Sequence, residues 1–123
     1  MKTKVLQVGI MSKAAYKKRT IAIAKGEYVP KRNEPKVWFE SVKSLAQVLS
    51  SENQELLRVI VEKKPGSLTE LEALTGRKKS NLSRTLKTLE RYGIVELKRE
   101  NRNVVPVVQA TDFRVEFGLG SAA

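Results

Sequence analysis

Residues 67–93 run SLTELEALTG and then RKKSNLSRTLKTLERYG, and this stretch decides the fold. It reads as two short helices around a tight turn. Ser67 follows Pro65 and Gly66 and precedes Glu70 by three positions, the spacing of a capping box at a helix start. Leu68, Leu71 and Leu74 then recur at helical spacing. Gly76 ends the first helix, because glycine adopts a left-handed cap without a Cβ clash. The second helix carries Leu82, Leu86 and Leu89 and stops at Gly93.

A rotation of about 100° per residue sorts the second helix into two faces. Leu82, Leu86 and Leu89 share a narrow arc. Ser80, Arg84, Lys87 and Arg91 fall opposite, with Asn81 and Thr88 on a flank. Apolar anchors on one side and cationic and hydrogen-bonding groups on the other suit a helix lying in a DNA major groove. For an isolated helix a solvated charged face is the plainer explanation. The helix before it and the hairpin after it favour the groove.

The charge distribution points the same way. The 123 residues hold 24 Lys and Arg against 13 Asp and Glu, a net +11 that suits a polyanionic partner. Residues 51–76 carry three cations and five acids, whereas residues 77–102 carry nine cations and three acids. The positive field therefore lies on the second helix and on the strand and turn after it. Residues 1–50 add eleven cations against three acids.

Several functions are disfavoured. The chain has no Cys and no His, which removes thiolate and imidazole zinc sites, thiol nucleophiles and imidazole bases. The carboxylates are scattered on expected solvent faces with no partnered base, so no enzyme, catalytic residue, metal or cofactor is read here. No apolar run approaches a membrane span, and the N-terminus lacks a signal-peptide core. The expectation is a cytoplasmic protein without a membrane partner.

Residues 1–36 read as a basic N-terminal extension with one helix, a candidate dimer or partner contact. Lys4 to Ile10 leans towards β structure and suits an edge strand. Ser12 can cap a helix to about Lys25, stopped by Gly26, with apolar groups on two sides. Glu27 to Lys36, with Pro30 and Pro35, reads as a linker. Residues 37–117 form the main domain. Val37 to Phe39 is a short strand or core anchor. Ser41 opens a helix with Val42, Leu45, Val48 and Leu49 inward. Ser50 and Ser51 cap the next, Glu52 to Lys64, which packs Leu56 and Ile60 inward.

After Gly93 the period changes from helical to alternating. Val95 and Leu97 share one face of a strand, and Glu96 and Lys98 the other. Glu100 to Asn103 forms a turn, and Val104 to Gln109 returns, with the amide side of Pro106 at an edge because proline has no donor. Phe113 to Phe117 alternates as a third strand or a dimer contact. Residues 118–123 read as a disordered tail.

Helix, helix, helix, strand, basic turn and strand, in that order, make a winged helix-turn-helix, a mainly α, α+β fold with a small β-wing. Residues 68–97 resemble the winged-helix transcriptional regulators of the MarR type, and GRKKSNLSRTLKTLERYGIVEL carries the resemblance. With WFES and PGSLTEL, residues 20–117 are also similar to a group of small predicted regulators bearing an N-terminal extension.

The resemblance implies a positioning helix at residues 67–75 and a recognition helix at residues 78–92. Lys78, Lys79, Ser80, Asn81, Arg84 and Lys87 match the groove-facing set, and Lys98, Arg99 and Arg102 match the wing. Ser67, Thr69, Arg77 and Arg91 are further candidates for backbone contact. MarR proteins dimerise through long terminal helices, whereas this N-terminal helix is short and the C-terminus is β-like. The expected function is a homodimeric, sequence-specific double-stranded DNA-binding regulator, a repressor on an inverted repeat. The alternative is an antitoxin that binds a protein toxin and autoregulates its operon, since members of the group look like toxin partners. An RNA-binding module is the third reading, and the lack of an aromatic stacking platform weighs against it.

Overall fold

The computed structural model describes residues 3–119. Serines start four of its helices. Ser12 caps α1 (Lys13–Ala24), Ser41 caps α2 (Val42–Val48), Ser50 caps α3 (Ser51–Lys63) and Ser67 caps α4 (Leu68–Thr75). Each hydroxyl accepts the backbone N–H three residues on, which satisfies one of the orphan donors of a first helical turn. A fifth helix, α5 (Lys79–Arg91), has no side-chain cap from its own N-cap residue, Lys78.

The strands are β1 (Val5–Ile10), β2 (Val37–Phe39), β3 (Val95–Glu100), β4 (Asn103–Val108) and β5 (Asp112–Glu116). They form two sheets, so the chain is an α+β fold of five helices and two small sheets among the described residues. β3 and β4 pair antiparallel as a hairpin. The other three form a parallel sheet in the order β2-β1-β5.

β1 is therefore the middle strand of that sheet, not the edge strand expected for Lys4 to Ile10. Parallel neighbours need long connections. Here one is α1 with the loop after it. The other spans everything between β1 and β5, so that Leu6 lies beside Phe113. The expected third strand at residues 113–117 exists, but it joins β1 and not the hairpin. The sheet thus draws strands from both sides of position 36.

One core cluster joins Leu56, Leu57 and Ile60 of α3, Leu71 of α4, Leu82, Leu86 and Leu89 of α5, and Ile94 with Val95 at the start of β3. Leu6 and Phe113 pack against it from the parallel sheet. Phe39 is buried and stacks on Tyr92, with ring centroids 4.2 Å apart, which ties β2 to the end of α5. Trp38 covers Gly9, and the Arg19 guanidinium lies 5.1 Å from its ring centroid.

One inward assignment fails: Val42 is exposed on the short helix α2. Leu74 is exposed too, and α4 reaches the core with Leu71. α1 buries none of its residues, and Tyr16 and Ile21 remain exposed. Of the expected C-terminal tail, residues 120–123 lie outside the described residues. No helix among the described residues is long and apolar enough to cross a membrane.

Candidate functional site

The turn between α4 and α5 is locked by side chains. Gly76 takes φ +75° and its N–H donates to the Glu72 carbonyl, closing α4. The Thr75 hydroxyl donates to the Leu71 carbonyl and accepts the Arg77 N–H. At the start of α4 the Glu70 carboxylate accepts the Gly66 N–H at 3.1 Å, so the reciprocal bond of the capping box reaches one residue further back. The uncapped start of α5 is served from α4: Glu72 Oε2 accepts the Lys79 N–H at 3.0 Å. A carboxylate there also favours the positive end of the helix dipole, beside two lysines that oppose it.

Arg77 completes the lock. Its Nε donates to Asn81 Oδ1 at 2.8 Å, one terminal nitrogen to Thr85 Oγ1 at 3.0 Å, and the other to Asn53 Oδ1 at 3.3 Å. One guanidinium thus joins α3, the turn and α5. Arg77 is half-buried, and all three arms are engaged within the chain. It is a staple of the helix pair, with three of its five N–H donors engaged within the chain.

The seam and the outer face of α5 separate cleanly. Leu82, Leu86 and Leu89 are 0% exposed. Lys78, Lys79, Ser80, Asn81, Arg84, Lys87 and Arg91 are all exposed. Asn81 directs its oxygen to Arg77, which leaves its amide N–H groups uncommitted. Ser67 is half-buried and its oxygen is taken by the cap, whereas Thr69 is exposed at the first turn of α4.

The hairpin adds a second cationic element. Glu100 pairs with Asn103 across a two-residue loop, Asn101 and Arg102, both at positive φ (49° and 69°). That backbone matches the twist of the flanking strands. Asparagine tolerates it, but arginine has a Cβ clash that glycine would avoid. A cation is held at the tip despite that cost. Lys98 and Arg99 are exposed on successive positions of β3 and so point to opposite faces. Leu97 faces Pro106, a position where an antiparallel ladder closed at Glu100 and Asn103 needs no N–H.

The two elements meet. Lys87 and Ser83 of α5, Arg99 of β3, Val104 of β4 and Leu68 of α4 line one crevice. Among the described residues the ion pairs are Lys13–Glu40, Arg19–Glu34 and Arg58–Glu55, so none of the nine cations in residues 77–102 is neutralised by a salt bridge. Two of the three acids in that stretch serve neutral donors: Glu90 accepts the Leu97 N–H at 3.4 Å and Glu96 accepts from Gln109 at 3.3 Å. The outcome is a shelf of exposed, unpaired positive charge along one side of α5 and over the hairpin.

Asn53 and Glu72 do not emerge from the sequence as parts of this site. One signal was available for Glu72: a helix beginning at Lys78 without a capping side chain needs an acceptor from elsewhere. No local pattern marks Asn53, which lies 24 residues before Arg77.

Residues 48–115 match the family model HVO_A0114, a span from the end of α2 to β5 that includes α4, α5 and the hairpin. No curated protein and no solved structure matches the chain. Because that match takes in more than half of its 123 residues, the chain belongs to the HVO_A0114 family.

Proposed function

We propose that this chain is a winged helix-turn-helix protein of MarR-like architecture that binds double-stranded DNA and regulates transcription, as a homodimeric repressor on an inverted repeat. In this reading α4 positions, α5 reads the major groove and the β3–β4 hairpin is the wing. One observation carries it. α5 buries three leucines completely while Arg84 and Lys87, on its other side, stay exposed and unpaired.

Roles then follow from chemistry. Lys78, Lys79, Lys98, Arg99 and Arg102 supply phosphate contacts, whose strength falls with salt as counterions are released. Arg84 suits the paired acceptors of guanine, and Lys87 a single acceptor. Asn81 offers only donors while Arg77 holds its oxygen, so it suits a phosphate or a base acceptor better than the two-point recognition of adenine. Two copies about a two-fold axis would read half-sites about 34–36 Å apart, or a multiple of that.

The test is Arg84→Ala, assayed by fluorescence anisotropy against a duplex recovered by genome-wide footprinting and against random duplex. Loss of about 1–3 kcal/mol on the recovered site, with relaxed preference at one position, supports the reading. Unchanged binding to both duplexes rejects α5 as the reading helix.

A further inference from the structure

The parallel sheet ends in β5, which pairs with β1 on one side and with no described strand on the other. A free edge presents a row of unused N–H and C=O groups, and chains normally blunt such an edge. No proline interrupts residues 112–117, and their apolar side is left open. Val115 is 45% and Phe117 is 58% exposed, and both lie on the side of the sheet shared with the buried Val8. Arg114 and Glu116 are exposed on the opposite side and form no ion pair among the described residues.

The segment Asp112-Phe-Arg-Val-Glu-Phe117 is complementary to itself when run antiparallel. Two strands related by a two-fold axis perpendicular to the sheet keep their faces, so a residue opposes another of the same parity. Centred on Val115, the register sets Val115 against Val115, Arg114 against Glu116 and Phe113 against Phe117 of the second copy. Arg114 and Glu116 each meet the opposite charge, every apolar group meets an apolar group, and Asp112 faces Gly118. Centred on Arg114, it would oppose Arg114 to itself and Asp112 to Glu116 on both sides of the axis, which makes three like-charge contacts. Centred on Phe113, it would run back onto Ala110, which is buried, and Thr111, whose N–H is already given to the Lys4 carbonyl.

A second feature fits the same register. A recess of about 410 Å³ opens between α3 and the start of β5, lined by Leu57, Val61, Val108 and Phe113 among others. Phe117 of the second copy, set beside Phe113, would enter it.

We propose that two copies of this chain associate through β5, edge to edge and antiparallel about Val115, so that the two parallel sheets become one six-stranded sheet. This gives the two-fold axis that the DNA-binding reading needs, by a route other than the long terminal helices of MarR-type regulators. It deepens that reading, but its evidence lies in the strand edge alone.

The test is sedimentation velocity on the full chain without DNA. The wild type sediments as a dimer in the micromolar range. Arg114→Glu and Glu116→Arg each turn two opposite-charge pairs into two like-charge pairs and raise the dissociation constant about tenfold or more. An equimolar mixture of the two variants dimerises again, because each chain then carries the charge the other lacks. Both positions are exposed, and circular dichroism checks that the variants remain folded. Asp112→Lys leaves the dimer intact in this register and weakens it only in the one centred on Phe113. Because the chain has no cysteine, Val115→Cys provides a single thiol, and mild oxidation locks it to its counterpart across the axis, while Phe117→Cys stays unlinked.

A monomer throughout the micromolar range overturns the proposal. So does a dimer indifferent to both charge reversals, or one in which Val115→Cys does not cross-link. A β5 dimer that binds no duplex refutes the DNA-binding reading alone, and a monomer that binds a specific duplex refutes the β5 interface alone.

Discussion

Replacing Arg77 by alanine separates a structural cation from the exposed cations around it. The guanidinium makes three hydrogen bonds, at 2.8, 3.0 and 3.3 Å, to side chains on α5 and α3. A typical intramolecular hydrogen bond contributes about 0.5–1.5 kcal/mol net, and the longest of these counts for least. The acceptors sit at or near the surface, so water can serve them after truncation, which keeps the loss in the lower part of that range. The sum is about 2 kcal/mol. For a chain of this size that corresponds to a melting temperature lower by about 6–10 °C and a urea midpoint lower by roughly 1 M. Equilibrium urea unfolding followed by circular dichroism measures it. Arg84→Ala, on the exposed face of the same helix, is the control and should stay within about 0.5 kcal/mol of wild type. An Arg77→Ala variant as stable as that control, but weakened in DNA binding, would refute the staple and restore Arg77 as a phosphate contact.

Other outcomes rest on the same structure. Leu86→Ala removes a side chain with 0% exposure from the seam and should cost about 2–5 kcal/mol in urea unfolding, because the surrounding core relaxes only partly around the cavity. Gly9→Ala should destabilise by about 2 kcal/mol or more in the same assay, since the new Cβ would overlap the Trp38 ring and lie 3.0 Å from Pro35 Cγ. The double change Lys98→Ala with Arg99→Ala should leave stability within about 0.5 kcal/mol and lower the slope of log K against log salt by up to about 2. A slope equal to that of wild type would remove the hairpin from the DNA contact.

The starts of α1 to α4 were legible because capping is a local event. Ser12, Ser41, Ser50 and Ser67 each bond a backbone N–H three residues away, and nothing distant is needed to see it coming. The seam of Leu82, Leu86 and Leu89 was legible for a similar reason, since a helix of fixed pitch puts those positions on one face. The exposed cations opposite that seam followed from the same geometry.

Position in the parallel sheet was a different matter. β1 reads as a short β-leaning segment suited to an edge, yet its neighbours are β2 and a strand more than a hundred residues away. Period-two alternation says which residues share a face and nothing about which strand comes alongside. Arg77 and Arg84 are alike as letters, both cations on either side of the helix start. Only the fold brings Asn53 within reach of one and leaves the other bare. Caps, seams and charge density depend on neighbours within about one helical turn, so the chain's order of residues specifies them. Strand partners, the engagement of Arg77 and the free edge of β5 depend on distances between segments remote in sequence, which exist only once the core has closed around α5.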